Sequence, residues 1–393
     1  MADAWPLAEA FEREVKKAIV GQDQVVHLLS IAVFARGHAL LEGSVGVGKT
    51  TLLRAVSRAL GGESERIEGT IDLMPADLIY YTYLDNAGKP AVSPGPLLSK
   101  GGQLATFFFN EINRARPQVH SLLLRVMGER SVKAFNRDYH LPYLQVYADR
   151  NRVEKEETFE LPAAARDRFM LEIEVRTPAD PEILEDLAFN PRFHEPDGLL
   201  ESVRHGVFPL EQINRVAAAI QAGVTASPAL RRYVRQLWEV SAQPEEYGIR
   251  IADTDAGQLL EAGPSPRAMS QLVRAARVRA WLAKREHVHP EDVQVVFPAV
   301  MRHRLFFRPV HEYRRAELAP SLIEQVLGSV SAPLTQWKST IGFRAELTAI
   351  GPGRTHPKAP VKDLSFGIWR RFWLGPIRGG WIFEPVWRIP LAA

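Results

Sequence analysis

The 393-residue chain contains no cysteine, which excludes disulfides, thiolate-held zinc and a cysteine nucleophile together. It has no run of the ~18 apolar residues that a membrane-spanning helix needs. The opening stretch from Met1 to Lys17 mixes acids and bases and lacks the apolar centre of a secretory signal. Net charge is only +3, too little to imply a nucleic-acid partner. From Leu334 onward there are nine Lys and Arg against three Asp and Glu, a surplus of six that leaves the remainder near −3. A slightly acidic body is a poor polyanion surface, so no nucleic acid is expected and a DNA-handling motor is the least favoured reading. No His-Glu-x-x-His occurs, His287 and His289 lack metal-ligand spacing, and no Ser/His/Asp set carries its local signature. These absences fit a protein of the reducing cytoplasm.

What is present is sharper. Gly43-Ser44-Val45-Gly46-Val47-Gly48-Lys49-Thr50 matches the phosphate-cradling loop at every fixed position. Glycines let successive main-chain N–H groups turn inward on phosphate oxygens; Lys49 would reach the β- and γ-phosphates and the Thr50 hydroxyl would hold Mg²⁺. The context is the required one. His38 to Leu41 precedes it as a short apolar strand, and Thr50 to Leu60, beginning Thr50-Thr51, follows with helical spacing until Gly61-Gly62. A helix N-terminus adds partial positive charge where the phosphates sit.

Up to about residue 180 the chain reads as alternating strands and helices. Leu104 to Phe109 is the continuous apolar run of a parallel strand buried on both faces, and Leu144–Ala148 and Phe169–Val175 are further strands. Pro178 to Pro209 reads as a linker with short helices. Ser227-Pro228, Ser265-Pro266 and His289-Pro290 then open three helices, so 210–333 reads as a small all-α domain. The tail from Leu334 onward holds five of the eight tryptophans, and Trp369, Phe372, Trp373, Trp381, Phe383 and Trp387 interleave there with Arg370, Arg371, Arg378 and Arg388. Three readings of the tail stand: an anchor to a partner or membrane surface, a segment folded back on the helical domain, or a non-native extension.

Several residues carry candidate chemistry. Glu111, at the end of the buried strand and just after Asn110, is where an ATPase polarises its attacking water. Asn151 follows another strand and could orient that water. Arg168 could reach a neighbour's γ-phosphate, the alternative being an ion pair with Asp167 or another acid. Arg267 lies in the first turn of its helix, against the dipole, which is unfavourable unless an anion sits there. Arg302-His303-Arg304 reads as a solvated helix face.

From about residue 10 to 333 the chain resembles the MoxR family of AAA+ ATPases. The stretches that carry this are Val20-Gly21-Gln22, GSVGVGKT (43–50), NEINRARPQVHSLLLRVMGERSV (110–132), NRVEKEETFELPAAARDRF (151–169), GPSPRA (263–268) and HPEDVQVVFPAVMRHRL (289–305). The resemblance implies an α/β fold: an AAA+ core (1–190) with a five-stranded parallel sheet, helices on both faces and two inserted hairpins, a linker (191–209), a helical lid (210–333) and the extension (334–393). It implies ATP and Mg²⁺ as ligands, a homo-oligomeric ring of about six subunits, a hexamer, and chaperone-like remodelling of a client protein complex, often with a von Willebrand A domain partner. By position Gly43, Val45, Gly46, Val47, Gly48, Lys49, Thr50 and Thr51 bind the nucleotide, and Val20 and Gly21 lie near the adenine. Thr50 and Asn110 face the metal, Glu111 is the catalytic acid, Asn151 is sensor 1, Arg168 the arginine finger and Arg267 sensor 2. Two departures stand out. Asn110 replaces the usual Asp, which leaves a nucleotide-gated scaffold with little turnover as the alternative. Around Asn151 the usual Ala-Thr-Gln-Asn-Pro is Ala148-Asp149-Arg150-Asn151-Arg152. The hairpins are expected within Leu78–Leu98, turning at Asn86-Ala87-Gly88 with Tyr80, Tyr81 and Tyr83 in its first arm, and within Ser131–Leu141.

Overall fold

The computed structural model describes residues 2–151, 159–251, 259–333, 369–373 and 381–385, the last two stretches as backbone. The chain divides into two compact units, Met1–Gln336 and Trp337–Ala393. In the first, the strands are β1 (Ala39–Gly43), β2 (Glu63–Glu68), β3 (Tyr80–Leu84), β4 (Pro90–Pro94), β5 (Leu104–Asn110), β6 (Ser131–Ala134), β7 (Arg137–His140), β8 (Gln145–Asn151), β9 (Leu171–Glu174), β10 (Leu260–Ala262) and β11 (Phe306–Phe307). The helices are α1 (Trp5–Ala18), α2 (Asp23–Phe34), α3 (Lys49–Leu60), α4 (Pro117–Glu129), α5 (Ala163–Arg166), α6 (Pro181–Phe189), α7 (Pro196–Glu201), α8 (Leu210–Gly223), α9 (Pro228–Ala242), α10 (Pro266–Leu282), α11 (Pro290–Met301), α12 (Pro309–Glu312) and α13 (Arg315–Ser329). The second unit contributes one antiparallel pair, β12 (Trp369–Trp373) with β13 (Trp381–Pro385). Trp387, Arg378 and Arg388 lie outside the described residues.

Five strands form a parallel sheet in the order β2-β5-β8-β1-β9. All seven residues of β5 are buried, as a strand covered on both faces requires. Alternate residues enter two different cores. Ala39, Leu41, Phe108 and Tyr147 join α1, α2 and α3 on one face, whereas Leu40, Phe107, Phe109, Val146 and Ala148 join α4 and α5 on the other. Two hairpins project from the core, β3–β4 and β6–β7, and the Tyr80 and Phe135 rings meet 5.6 Å apart. Tyr81 and Tyr83 remain exposed.

The lid helices begin as their sequence directs. Ser227 Oγ accepts from Leu230 N at 3.1 Å and caps α9; at α11 the Asp292 carboxylate accepts from His289 N at 2.8 Å. Lid and core share a hydrophobic core, with the Trp281 ring of α10 edge-on to Phe34 of α2 at 5.2 Å.

Within 191–209, which holds the short helix α7, Leu199, Leu200, Val203, Val207 and Phe208 are buried in the core, the Phe208 ring 5.2 Å from that of Phe34 in α2. The helical lid also carries a short antiparallel ribbon, in which Leu260 and Ala262 pair with Phe307 and Phe306. One expectation needs correcting: Arg302-His303-Arg304 is not a solvated face. His303 and Arg304 are fully buried, and Arg302 donates to Glu174 at 2.7 Å. The triplet sits where α11 ends against β9, so its donors reach β9 and the backbone before it: His303 Nε2 with Phe169 O at 2.9 Å, and Arg304 Nη1 to Met170 O at 3.2 Å.

His38 is a second buried imidazole. Its Nδ1 accepts from Val146 N at 2.9 Å, which leaves the proton on Nε2, 3.1 Å from the Met127 carbonyl. Burial first, then the nearby Arg130, bring its pKa down to about 3, and burial likewise holds His303 well below the ordinary imidazole range. Both are therefore neutral in the fold. The stability they permit is complete above the unfolded-state value of ~6.5 and is lost as pH falls from there towards the folded value. Denaturant unfolding at pH 7 and pH 5 should show a loss of about 2 kcal/mol from His38 alone, and the His38→Gln variant should show a correspondingly flatter dependence over the same interval.

Candidate functional site

The C-terminal ends of β1, β8, β5 and β2 converge on one edge of the sheet. At β1 the chain leaves Gly43 and curls through Gly46 (φ 79°) and Gly48 (φ 86°) into α3; these left-handed conformations are open to glycine at little cost. Nothing lies within 4 Å of where a Cβ would stand on either residue, so backbone conformation and not crowding demands glycine there. Thr50 and Thr51, half-buried, begin α3. Val45 is exposed and Val47 half-buried, and Gln22 Nε2 donates to Val47 O at 3.2 Å, tying the loop to the segment after α1.

Lys49 is almost fully buried and its Nζ donates to Gly43 O, Ser44 O and Asn151 Oδ1 at 2.9, 2.9 and 2.8 Å. Register explains the last contact, since Gly43 and Asn151 are directly opposite across β1 and β8. Asn151 Nδ2 in turn donates to Glu111 Oε1 at 3.0 Å. Lysine, asparagine and glutamate thus form one hydrogen-bonded chain at the mouth of the loop. Glu111 adopts a left-handed conformation (φ 50°, ψ 49°), a strained state for a residue with a side chain. It is held by its own N–H donating to Asp149 Oδ1 at 2.6 Å and by Arg114 Nη1 donating to its Oε2 at 2.9 Å.

The departures at 148–152 prove to have partners. Asp149 is buried, and burial raises its pKa above the ordinary carboxylate value while the bond from Glu111 N works the other way. Arg150 donates to Glu172 at 3.0 Å and lies 3.6 Å from Glu42. Arg152 falls outside the described residues, as does the rest of 152–158.

Asn110 is buried at the end of β5, opposite Glu68 of β2. Its Nδ2 donates to Glu68 Oε1 at 2.6 Å. The amide is therefore turned so that its carbonyl oxygen is left for another donor, such as a metal-bound water. Among the described residues no group of three His, Cys, Asp or Glu forms a metal cage. One hydroxyl (Thr50) and one amide oxygen (Asn110) fit a hard cation that takes its remaining ligands from water and substrate phosphates, as Mg²⁺ does. Gly21 (φ 71°) lines a cleft of about 400 Å³ between the loop after α1, the end of β9 and α11. Val20, half-buried, sits one residue outside its lining.

Arg168 and Arg267 belong elsewhere. Asp167, just before Arg168, accepts from Arg267 Nη1 at 2.7 Å, from Arg304 Nε at 2.9 Å and from Ser265 Oγ at 3.2 Å. The anion in front of the α10 N-terminus is thus a carboxylate of this chain. Asp167 is thereby committed to the lid, and Arg168 has no carboxylate partner among the described residues. Arg168 lies instead against α4 at Gly128, where a Cβ would stand 1.8 Å from Nη1. Met170 N donates to His38 O at 2.7 Å, which puts this cluster beside the start of β1. Gly43 is five residues further along, about 16 Å away at strand rise. The two arginines and the phosphate loop therefore lie at opposite ends of the sheet.

Residues 38–171 match the family described as ATPases associated with various cellular activities, residues 252–325 the AAA lid domain, and residues 7–68 the MoxR domain of MoxR-vWA-beta-propeller ternary systems. The chain is 59% identical to Protein MoxR of Methylorubrum extorquens over 83% of its own length and 95% of that protein's. It belongs to the MoxR family of AAA+ ATPases. Protein MoxR of Paracoccus denitrificans is 52% identical over 82% of this chain and 95% of its own, and Chaperone MoxR1 of Mycobacterium tuberculosis 34% over 81% of each. A crystal structure from Cytophaga hutchinsonii, 28% identical, superposes with a TM-score of 0.70 over 85% of this chain and 99% of its own.

Sequence reading of this MoxR-family site missed Glu68, Asp149, Arg114 and Gly69. A Cβ on Gly69 would stand 2.2 Å from Glu111 O, so that glycine lets β2 and the acid loop close together. The departure at Asn110 was itself the signal for Glu68. Asn110→Asp should set two carboxylates at hydrogen-bonding distance and lower the melting temperature of nucleotide-free protein by several degrees. Adding Glu68→Gln should restore it, and equal melting of the single and double variants would refute the pairing.

Proposed function

We propose that this chain hydrolyses ATP with Mg²⁺ in a ring of about six protomers, and that the resulting subunit motion remodels or matures partner protein complexes. The carrying observation is the chain Lys49–Asn151–Glu111 at the loop mouth. Main-chain amides of the loop hold the phosphates and Lys49 neutralises their charge. Glu111 accepts a proton from the attacking water, which Asn151 orients. Thr50 and Asn110 would hold Mg²⁺, which when bound neutralises charge on the phosphates. Because Arg168 and Arg267 lie at the far end of the sheet, they serve the nucleotide of a neighbouring protomer, in a head-to-tail ring whose sites are complete only between subunits. The family description of MoxR-vWA-beta-propeller systems supports a von Willebrand A domain partner, and the chaperone name of the mycobacterial relative supports remodelling.

A second reading rests on Asn110. With a neutral amide at that position the chain would bind ATP and assemble without appreciable turnover.

Phosphate release by wild type, Lys49→Ala, Glu111→Gln and Arg168→Ala separates these. Arg168→Ala is expected to lose ~10³–10⁵ in rate, and wild-type turnover no greater than that of Glu111→Gln would leave only the scaffold. Mixing the inactive Arg168→Ala and Glu111→Gln proteins should recover roughly a quarter of the wild-type rate if sites are shared at random around a head-to-tail ring. A mixture that stays inactive would mean that Arg168 serves its own nucleotide.

A further inference from the structure

Helix α6 has nine residues and none of them is buried. Ile183, Leu184, Leu187 and Ala188 nevertheless follow the spacing of one helical face, and Phe189 at its end is 80% exposed. The other side carries Glu182, Glu185 and Asp186, with no Lys or Arg in the helix. Ile183 and Leu187 are half-buried, but among the described residues nothing buries the rest of this apolar face, Leu184, Ala188 and Phe189 being exposed.

A complementary surface exists on the lid. Between α9 and α10 runs a groove of about 490 Å³ whose floor includes Val234, Met269 and Val273 and whose rim includes Arg231, Arg235 and Arg277. Among the described residues no acid lines it. Arg235 is shared with Glu239 on its outer side (2.7 Å), whereas Arg277 Nε is buried without a hydrogen-bond partner. Apolar floor, arginine rim and an unmatched buried N–H are the features that an acidic amphipathic helix fills.

We infer that α6 of one protomer docks in the α9/α10 groove of the next. Two placements favour a second copy over an unrelated partner. Ile183 of α6 packs at Gly21, on the rim of the cleft beside the phosphate loop. The groove begins at Pro266, next to Arg267. In a ring that brings the arginine face of one subunit to the nucleotide face of its neighbour, helix and groove therefore meet. This inference rests on the ring proposed above and names the surface that joins its members.

The absence of cysteine allows a direct test in the full-length chain. A protein carrying Ala188→Cys in α6 and Ser270→Cys at the groove is oxidised in the presence of Mg²⁺ and ATP. The expected result is a ladder of covalent multimers that collapses on reduction, is absent from either single variant, and disappears when Glu185→Arg and Asp186→Arg are added. A control pairing Ser270→Cys with Val310→Cys should give no ladder. Sedimentation of wild type under the same conditions separates the two levels of the argument. Assembly into multimers without the ladder, or with an equal ladder from the control, overturns the docking alone. A wild type that stays monomeric overturns the docking and the ring together.

Discussion

Parallel strand alignment is the constraint on which everything else here depends. Because β1, β5, β8 and β2 all run in one direction, their C-terminal ends share an edge, and short side chains at those ends can bond one another although they are far apart in sequence. Lys49 and Asn151 are 102 positions apart, Asn110 and Glu68 are 42 apart, yet each pair is within 2.8 Å. The same alignment puts the N-terminal ends at the opposite edge, which is why Arg168, entering β9, cannot join them.

Charge burial divides the molecule along the same axis. At the loop edge, Lys49, Asn151, Glu111 and Asp149 are joined by hydrogen bonds around the cradle, and the strained Glu111 backbone is held by the bond from its N–H to Asp149. At the other edge, Asp167 gathers Arg267, Arg304 and Ser265, with Arg304 fully buried and its pKa lowered by burial to about 10 in spite of the Asp167 carboxylate. Removing either member of such a buried pair leaves a charge without compensation and costs ~3–5 kcal/mol. The junction ties the lid to the segment that presents Arg168.

Much of the fold was legible because its signals are local. The run Leu104–Phe109 announced a doubly covered strand, Ser227-Pro228 a capped helix, and the Asn86-Ala87-Gly88 turn a hairpin. The conformation of the glycine loop and the place of Glu111 at a strand end could be read because glycine geometry and strand-end placement are themselves sequence patterns. What failed was burial decided from afar. Arg302-His303-Arg304 has the composition of a solvated face, and only the packing of α11 on β9 turns its donors inward to the carbonyls of Phe169 and Met170. Residues 191–209 contain the prolines and acids of a linker, but Leu199, Leu200 and Phe208 are buried in the core, Phe208 against Phe34 of α2.

The sequence by itself determined the chemistry available to this MoxR-family chain: a glycine loop whose φ angles only glycine adopts readily, a lysine and threonine at its end, an acid closing a buried strand, and no cysteine thiol to compete. Tertiary structure alone decided how those groups are shared. Which carboxylate orients Asn110, which acid engages the α10 N-terminus, and which arginines stand away from the glycine-loop edge all follow from strand order and helix packing, because hydrogen bonds and ion pairs depend on distance in space and carry no trace in the spacing of residues along the chain.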